Sequence, residues 1–425
     1  MRGISRPGAL SERPFRLLWL GQTTSAIGDA LVPLALTFAV LDVGGAKGLG
    51  LSLAALMGTR AVLVLVGGVW ADRLPRRLVM LGCDALRAAI EFTTVVVIVT
   101  GNASTWFFVC TSALFGAAAA FFSPASTGLI PQVVSAARLQ QANALVSLSR
   151  STISVFGPAV SGLIVATAGA EWVFGINGAS FVVSAFFLAR LSVPQRERGP
   201  GKAFFADLAE GWREVRSRPW VAAALVNFSI VNIGIASYFV LGPLIVEEEL
   251  NGASSWAIAM TGGSIGGILG GILALRFKPT HPLRWAFGLI IITALQLLGL
   301  IQPLPALGLA VLALLTVMGI QLATTLWNTT VQQRIPEHVL SRVFAYDWLV
   351  SIVFMPLGYI AAAPLAATIG TDTTLLGLAA LNASACLGIL LIPSVRNMRR
   401  IDTDPAKLDD GTQHASELAD SPGTA

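Results

Sequence analysis

Charge is what this sequence has least of. Asp, Glu, Lys and Arg make up 12% of its 425 residues, against roughly 25% in an ordinary soluble domain. A water-soluble fold of this size cannot cover its surface with so little charge, which excludes a soluble enzyme. Histidine and cysteine are equally scarce, at three each. Cys83, Cys110 and Cys386 lie far apart in apolar stretches without a CxxC spacing, so neither a disulfide framework nor a zinc centre is indicated. His281, His338 and His414 are scattered, and no metal site is expected. Lysine is rare too, four against 24 arginines. The chain has no catalytic cluster of the Ser/His/Asp, HExxH or paired-carboxylate kind, and no phosphate loop. No enzyme activity and no cofactor are therefore expected, and ATP is not the direct energy source.

What is present is apolar. Hydrophobic residues make up 55% of the chain and the mean hydropathy is +0.74, which reads as a polytopic membrane protein. A bilayer core needs about 20 apolar residues per helix. Twelve runs meet that length, at about 16–43, 49–71, 78–100, 105–130, 143–168, 172–191, 220–246, 255–276, 285–302, 306–330, 343–368 and 373–394. They are apolar on all faces, unlike surface helices, and show none of the short alternating segments of a barrel. The first run follows four arginines like a signal peptide, but it is too long for one. The fold class expected is all-α and integral to the membrane, with twelve transmembrane helices in two pseudo-symmetric six-helix bundles.

Charge then sets orientation. The even loops and the termini hold 24 of the 28 basic residues, and the odd loops hold only Lys47. The positive-inside rule places both termini in the cytoplasm of a cell-membrane protein. The net charge of +5 is thereby explained by topology, and nucleic acid is not expected as a partner.

The longest internal connection, 192–219, carries six basic residues. Phe204, Phe205, Leu208, Trp212 and Val215 share one face of it, as in a short helix on the membrane surface. It divides the chain into an N-terminal segment (1–15), a first bundle (16–191), the linker, a second bundle (220–394) and a polar tail (395–425) expected to be disordered. A weak repeat joins the bundles. Arg13-Pro14-Phe15 and Arg218-Pro219-Trp220 are 205 residues apart, as are Gln22 and Asn227, and Gly68-Val69-Trp70-Ala71 and Gly271-Ile272-Leu273-Ala274 are 203 apart. Duplicated halves put a substrate path at their interface near the bilayer midplane.

Gly68-Val69-Trp70-Ala71-Asp72-Arg73-Leu74-Pro75-Arg76-Arg77, between spans 2 and 3, resembles the Gly-x-x-x-Asp-Arg-x-x-Arg-Arg loop of the major facilitator superfamily. Phe15-Arg16-Leu17-Leu18-Trp19, Gly28-Asp29, Cys83-Asp84-Ala85-Leu86-Arg87 and Gln141-Ala142-Asn143-Ala144-Leu145 are similar to the transmembrane secretion effector branch of drug and siderophore exporters. In span 5, Gly157-Pro158-Ala159-Val160-Ser161-Gly162 resembles the exporters' Gly-x-x-x-Gly-Pro-x-x-Gly-Gly motif, with Ile153 in place of the first Gly and Ser161 in place of the third. The resemblance implies alternating access. Asp72 would latch the two halves at the cytoplasmic face, with Gly68, Arg73, Arg76 and Arg77 in the same gating loop. The arginines would also anchor to anionic lipid headgroups. Gly157, Pro158 and Gly162 would bend span 5 and seal the cavity on one side.

A charge in hydrocarbon costs at least about 2.5–3.5 kcal/mol, so each buried one is a functional hypothesis. Asp29 lies mid-span 1, Arg60 mid-span 2 and Arg150 in span 5. Asp84, Arg87 and Glu91 fall at i, i+3 and i+7 in span 3, on one helix face. Spans 7–12 offer no charge at that depth. The expectation is a division of labour. Asp29, Glu91 and Asp84 are the candidate proton-coupling acids, with Arg60, Arg87 and Arg150 as their charge partners. Gln22, Asn227, Asn232, Gln321 and Asn328, with aromatic residues of the second half, are the candidate substrate contacts. A salt network that only packs helices is the competing account of the span-3 cluster. For Asp29, pairing with Arg60 and direct substrate contact stand beside coupling. The glycines of span 8, Gly262 to Gly271, serve close helix packing.

The function expected is proton-coupled efflux of a drug-like compound, a siderophore or a hydrophobic metabolite by a monomeric secondary transporter. A proton-coupled nutrient symporter and a non-transporting membrane scaffold are the alternatives.

Overall fold

The computed structural model describes residues 8–73, 75–135, 138–192, 212–213, 215–274, 276–335, 343–344, 346–347, 349 and 353–400, with backbone alone for 64–73, 140 and 144. Its helices are α1 (Arg13–Arg73), α2 (Arg76–Val99), α3 (Thr105–Val133), α4 (Leu139–Thr167), α5 (Ala170–Ala189), α6 (Pro219–Glu249), α7 (Gly252–Ala274), α8 (Pro282–Ile290), α9 (Ile292–Leu298), α10 (Ala306–Arg334), α11 (Met355–Ile369), α12 (Thr371–Leu390) and the single-turn α13 (Pro393–Arg396). A helix satisfies its own backbone hydrogen bonds, which is why apolar runs of this length take no other form in lipid.

Eight of these segments are long and apolar enough to cross a membrane. One of them, Arg13–Leu63, belongs to α1 and turns back at Gly45 (φ +55°), so α1 supplies spans 1 and 2. Span 3 is α2, whose apolar stretch is interrupted by Asp84, Arg87 and Glu91. Span 9 is α8 with α9, and span 11 contains α11. The twelve crossings fall into two bundles of six.

Backbone glycines carry the duplication further. Gly45 and Gly252, both at φ near +50°, make the turns between spans 1 and 2 and between spans 7 and 8. Gly169 (φ +104°) and Gly370 (φ +89°) do the same between spans 5 and 6 and between spans 11 and 12. Only glycine takes such φ values freely, and the offsets of 207 and 201 residues bracket those of the sequence repeat.

Among the described residues, the bundles share a core on one side of the membrane. Call the face that carries the ends of the chain the terminal face, and the opposite one the far face. Toward the far face, Leu34, Phe38 and Ala54 of the first bundle share one apolar core with Tyr238, Trp256 and Tyr359 of the second. Gly50 of span 2 lies against the Tyr359 backbone in span 11, and Gly162 of span 5 lies against Ala257 in span 8. These two contacts are equivalents under the pseudo-twofold. Toward the terminal face the described residues form two separate cores. Phe15, Met80, Leu129 and Leu188 belong to the first bundle, and Trp220, Phe287, Trp327 and Ile389 to the second.

Within each bundle, small residues set the spacing. Gly262, Gly266 and Gly270 bring span 8 onto the carbonyls of Ala310, Leu314 and Met318 in span 10, one contact per turn.

Several expectations need correction here. Arg76 and Arg77 are turned inward. Arg76 donates to the Gly128 carbonyl, and Arg77 donates from Nε to Leu188 O at 2.8 Å and from Nη2 to Ala189 O. Arg77 thus caps the carbonyl end of span 6, where a cation is favoured, instead of reaching for lipid. Span 5 stays helical on both sides of Pro158, so the residue expected to bend it does not break it. The tail was expected to be free from residue 395, yet Arg400 donates to the backbone of Thr280 and Lys278, and Arg334 donates to Arg399 O. Val395 is fully buried, which ties down this stretch. Of the linker's apolar face, Val215 is buried and Trp212 rests on Tyr346 at 5.6 Å, while Phe204, Phe205 and Leu208 lie outside the described residues.

At the start of the chain an arm is clasped to the connection between spans 4 and 5. The Ser135 hydroxyl and N–H donate to the Glu12 carboxylate at 2.7 and 2.9 Å, and Arg138 pairs with it at 3.0 Å. Ala9 N–H donates to Gln141 Oε1 at 2.8 Å. The Ser135 hydroxyl, then its N–H and Arg138, hold the Glu12 carboxyl below its ordinary range.

Two predictions follow from this packing. Gly266→Val drives a side chain into the Leu314 carbonyl and lowers the melting temperature in detergent, at a cost of about 1–3 kcal/mol. Gly271→Val, where a Cβ meets nothing within 4 Å, leaves the melting temperature unchanged. The Glu12 clasp is held above the ordinary glutamate pKa and is lost as pH falls through the lowered one. Amide-exchange protection of residues 8–12, taken relative to the intrinsic rate at each pH, falls over that acid range in wild type, and is already low and insensitive to acidification in Glu12→Gln.

Candidate functional site

A cavity of about 430 Å³ lies between the bundles at mid-depth, beneath the shared far-face core. That volume suits a small organic molecule. Its wall is overwhelmingly apolar and aromatic. Phe108, Phe115 and Phe174 face it from the first bundle, and Phe239, Trp256, Met260, Met355 and Tyr359 from the second. Into this wall come two acids, Asp29 of span 1 and Glu91 of span 3.

Most other polar groups of the wall are already spent on their own helices. Thr37, Thr94 and Thr111 donate to carbonyls one turn back, those of Pro33, Ile90 and Phe107, at 2.7–2.9 Å. Groups left with capacity include the two acids and the Ser112 hydroxyl, which is buried without a partner.

The two acids are held differently. Glu91 is 2% exposed and accepts a 2.8 Å hydrogen bond from Asn177 Nδ2 in span 6. Asn177 in turn receives the Ser180 hydroxyl on its Oδ1 at 3.2 Å. Asp29 is half-buried, and its Oδ1 has no hydrogen-bond partner. Gly28 beside it lies directly on Asn177 and Ser180, so span 1 covers this polar seam with no side chain between. Asp29 feels the charges of Arg87 and Arg60, but neither arginine comes within ion-pair distance. The direct Asp29–Arg60 pair considered from sequence is not formed.

Arg87 is 4% exposed and has no carboxylate partner. Three aromatic rings surround its guanidinium: Phe122 at 4.5 Å, Phe115 at 5.3 Å and Phe181 at 5.4 Å. Cation–π attraction is strongest when the cation is desolvated, as here. Asp84, one turn away, is fully buried and both of its oxygens lack hydrogen-bond partners. Arg150 stands apart with an exposed side chain. The interior cluster therefore holds Asp29, Asp84 and Glu91 against Arg60 and Arg87, not the balanced six expected from sequence.

The five polar residues expected to contact cargo do not line this cavity. Gln22 donates to Ser126 Oγ at 2.8 Å inside the first bundle. Asn227 is buried against Cys386. Gln321 packs beside Gly270 with its side chain exposed, and Asn232 and Asn328 are half-buried elsewhere. Polarity in a helical run marked them, and Gln22 and Asn227 are engaged within their own bundles. The second half instead contributes rings and thioethers. Sequence reasoning missed Asn177, Ser180 and Ser184, although their i, i+3, i+7 spacing in span 6 repeats that of the span-3 charges. In the span-5 motif, Gly157 packs on Ala30, Pro158 lines the cavity, and Gly162 forms the contact to Ala257. Ser161, at the third motif glycine, donates to Leu31 O at 2.6 Å, tying span 5 to span 1. In the loop between spans 2 and 3, Gly68, Asp72 and Arg73 fall where only the backbone is described, and it is helical there.

Comparison with known proteins gives a consistent answer. Residues 18–348 match the family model of the Major Facilitator Superfamily. The multidrug efflux pump Tap of Mycobacterium tuberculosis is 26% identical over 412 residues, covering 91% of this chain and 94% of that protein. Macrolide efflux protein A of Streptococcus pyogenes is 24% identical over 402 residues, covering 91% and 97%. Among solved structures, a bacterial homologue of the iron transporter ferroportin in its inward-facing state superposes with a TM-score of 0.70 at 14% identity, covering 89% of this chain and 97% of that one. The nucleoside transporter NupG gives 0.70 at 12% identity, with 89% and 98% covered. At such identities the two structures speak for the fold alone. With twelve membrane-crossing helices, a cavity between two bundles and a family match over most of its length, the chain is a multi-pass transporter that belongs to the Major Facilitator Superfamily.

Proposed function

We propose that the protein exports hydrophobic, drug-like organic compounds across the cell membrane in exchange for protons. The observation that carries this reading is the placing of Asp29 and Glu91, acids without a cationic partner, in an otherwise aromatic and apolar cavity between the bundles. The rings and thioethers of Trp256, Tyr359, Phe239 and Met260 offer contact without directional demands, which suits varied cargo. The drug-efflux names of the relatives support the same class. Siderophores and hydrophobic metabolites fall within it.

The concentration of arginine in the even loops supports a cytoplasmic terminal face. The far face is then external, and separate terminal cores with a shared far-face core describe an inward-facing state. Cargo enters the cavity from the cytoplasm or inner leaflet. The halves then rock about the cavity, opening the contacts of Gly50 with Tyr359 and Gly162 with Ala257. Asp72 would latch the terminal side in that second state.

Three interior acids face two interior arginines, so one negative charge is unmatched. A proton on one carboxyl neutralises it, and loss of that proton raises the cost of the cluster in hydrocarbon. Exchange of a proton for cargo at Asp29 and Glu91 couples the two flows.

Two tests follow. Full-length protein in liposomes is given an imposed pH difference, with ethidium and erythromycin as probes. Wild type moves at least one probe in the direction opposite to the proton flow. Asp29→Asn and Glu91→Gln each lower that movement at least tenfold. Wild-type indifference to the pH difference for both probes, or wild-type coupling in both variants, overturns the reading. For the rocking motion, Gly162→Leu wedges the far-face contact. In a background lacking Cys83, Cys110 and Cys386, Tyr359→Cys then reacts several-fold faster with an external, impermeant maleimide. An unchanged rate counts against closure at that contact.

A further inference from the structure

Spans 3 and 6 run antiparallel, and their polar residues are in register. Glu91 is opposite Asn177, with the hydrogen bond already given. Asp84 is opposite Ser184. Arg87 falls between them on span 3, as Ser180 does on span 6. Each step along one helix is matched by an equal step back along the other. The result is a buried ladder about 10 Å long, from seven residues at 1.5 Å each. Span 1 closes its side through Gly21 on Ser184 and Gly28 on Asn177 and Ser180.

We propose that this ladder is a second proton site: a store at Asp84 that fills and empties through Glu91 and lies outside the cargo cavity. The proposal rests on proton coupling at Asp29 and Glu91 as argued above. Asp84 does not line the cavity. It is fully buried, and both its oxygens, the Ser184 hydroxyl and the Arg87 Nε are without partners. Buried polar groups in native proteins are almost always satisfied. A cluster of unsatisfied ones in a shared pocket is the setting in which ordered water is held. A protonated Asp84 also gains an O–H to donate there.

The charged and titratable groups around Asp84 are few. Cys83, Arg87 and Glu91 share its helix, and Asp29 and Arg60 approach from spans 1 and 2. Span 4 presents only the rings of Phe115 and Phe122 to Arg87, and the core of span 6 is neutral. The aromatic cage holds the guanidinium within a turn of both Asp84 and Glu91 and committed to neither. Arg87 balances one carboxylate, so the ladder retains one proton for its two acids.

The transfer is a simple exchange. The proton leaves the Glu91 carboxyl, passes along ladder water and the Ser180 and Ser184 hydroxyls, and joins an Asp84 oxygen. Glu91 is left as carboxylate, and Asp84 becomes neutral. Beyond Asp84 the ladder is stopped by Met80 and Leu188, both buried in the terminal core. Exchange with the outside therefore runs through Glu91. Glu91 can thus give up its proton while cargo fills the cavity.

The test needs no cargo. Infrared difference spectra of the purified full-length protein are taken between acid and alkaline pH. Wild type shows a carboxyl band that is lost in Asp84→Asn. Ser184→Ala shifts that band without removing it, since the surroundings of Asp84 lose a hydroxyl while the carboxyl itself stays. In Glu91→Gln the Asp84 band responds to a pH jump at least tenfold more slowly, because its route is cut. Identical difference spectra for wild type and Asp84→Asn overturn the store. So does an Asp84 band that titrates at the wild-type rate in Glu91→Gln. If Asp84→Asn fails to fold, a carboxyl band left unmoved by Ser184→Ala decides against the store. The liposome assay separates the two readings. A titrating Asp84 in a protein that moves no probe under a pH difference leaves the store standing and removes coupled export. Coupled export with a silent Asp84 does the reverse.

Discussion

The antiparallel register of spans 3 and 6 is the relation on which the first bundle depends. Acids placed in hydrocarbon must find polar company at the same depth. One helix displays Asp84, Arg87 and Glu91 at i, i+3 and i+7, and its neighbour displays Asn177, Ser180 and Ser184 with the same period in reverse. A slip of one residue would turn either set away from the other and leave it facing lipid. Arg77, hydrogen-bonded to the carbonyl end of span 6, holds that register at the terminal face. Gly21 and Gly28 then let span 1 close over the seam and bring Asp29 to its edge.

The two bundles have diverged in chemistry while keeping one backbone plan. The positive-φ glycines at equivalent turns mark the shared plan. The first bundle concentrates interior charge and amides. The second fills its share of the cavity with Phe239, Trp256, Met260, Met355 and Tyr359. In the proposed export, a half that carries the acids beside a greasy half would let cargo shape vary without disturbing the acids, since the rings make few directional bonds.

Much of this was legible in the sequence, and the reasons for the misses are physical. Length and hydropathy define the crossings because hydrocarbon leaves the backbone few choices. Span 3 remained legible despite its charges because its flanks are apolar. Asp29 and Glu91 were singled out by depth alone, and both line the cavity. Gln22, Asn227, Asn232, Gln321 and Asn328 were chosen for polarity, yet a polar side chain in a bundle more often satisfies a neighbour within it. Arg150 shows that depth along a span says nothing about which way the helix face points. Arg76 and Arg77 read as lipid anchors because a loop sequence cannot reveal which helix ends lie within reach. The partner of an acid on another helix, such as Asn177 for Glu91, requires the register, and single-chain periodicity records that only when both helices are compared.

The continuous contact of span 8 with span 10 has a mechanical consequence. Gly262, Gly266 and Gly270 set backbone directly on backbone over three turns, and such a seam has no long side chains to flex. Bending these two spans would open a gap along the whole seam, so the stiff pair behaves as a lever arm. Displacement at Ala257, near its far end, must reappear at the opposite end as a swing in the other direction.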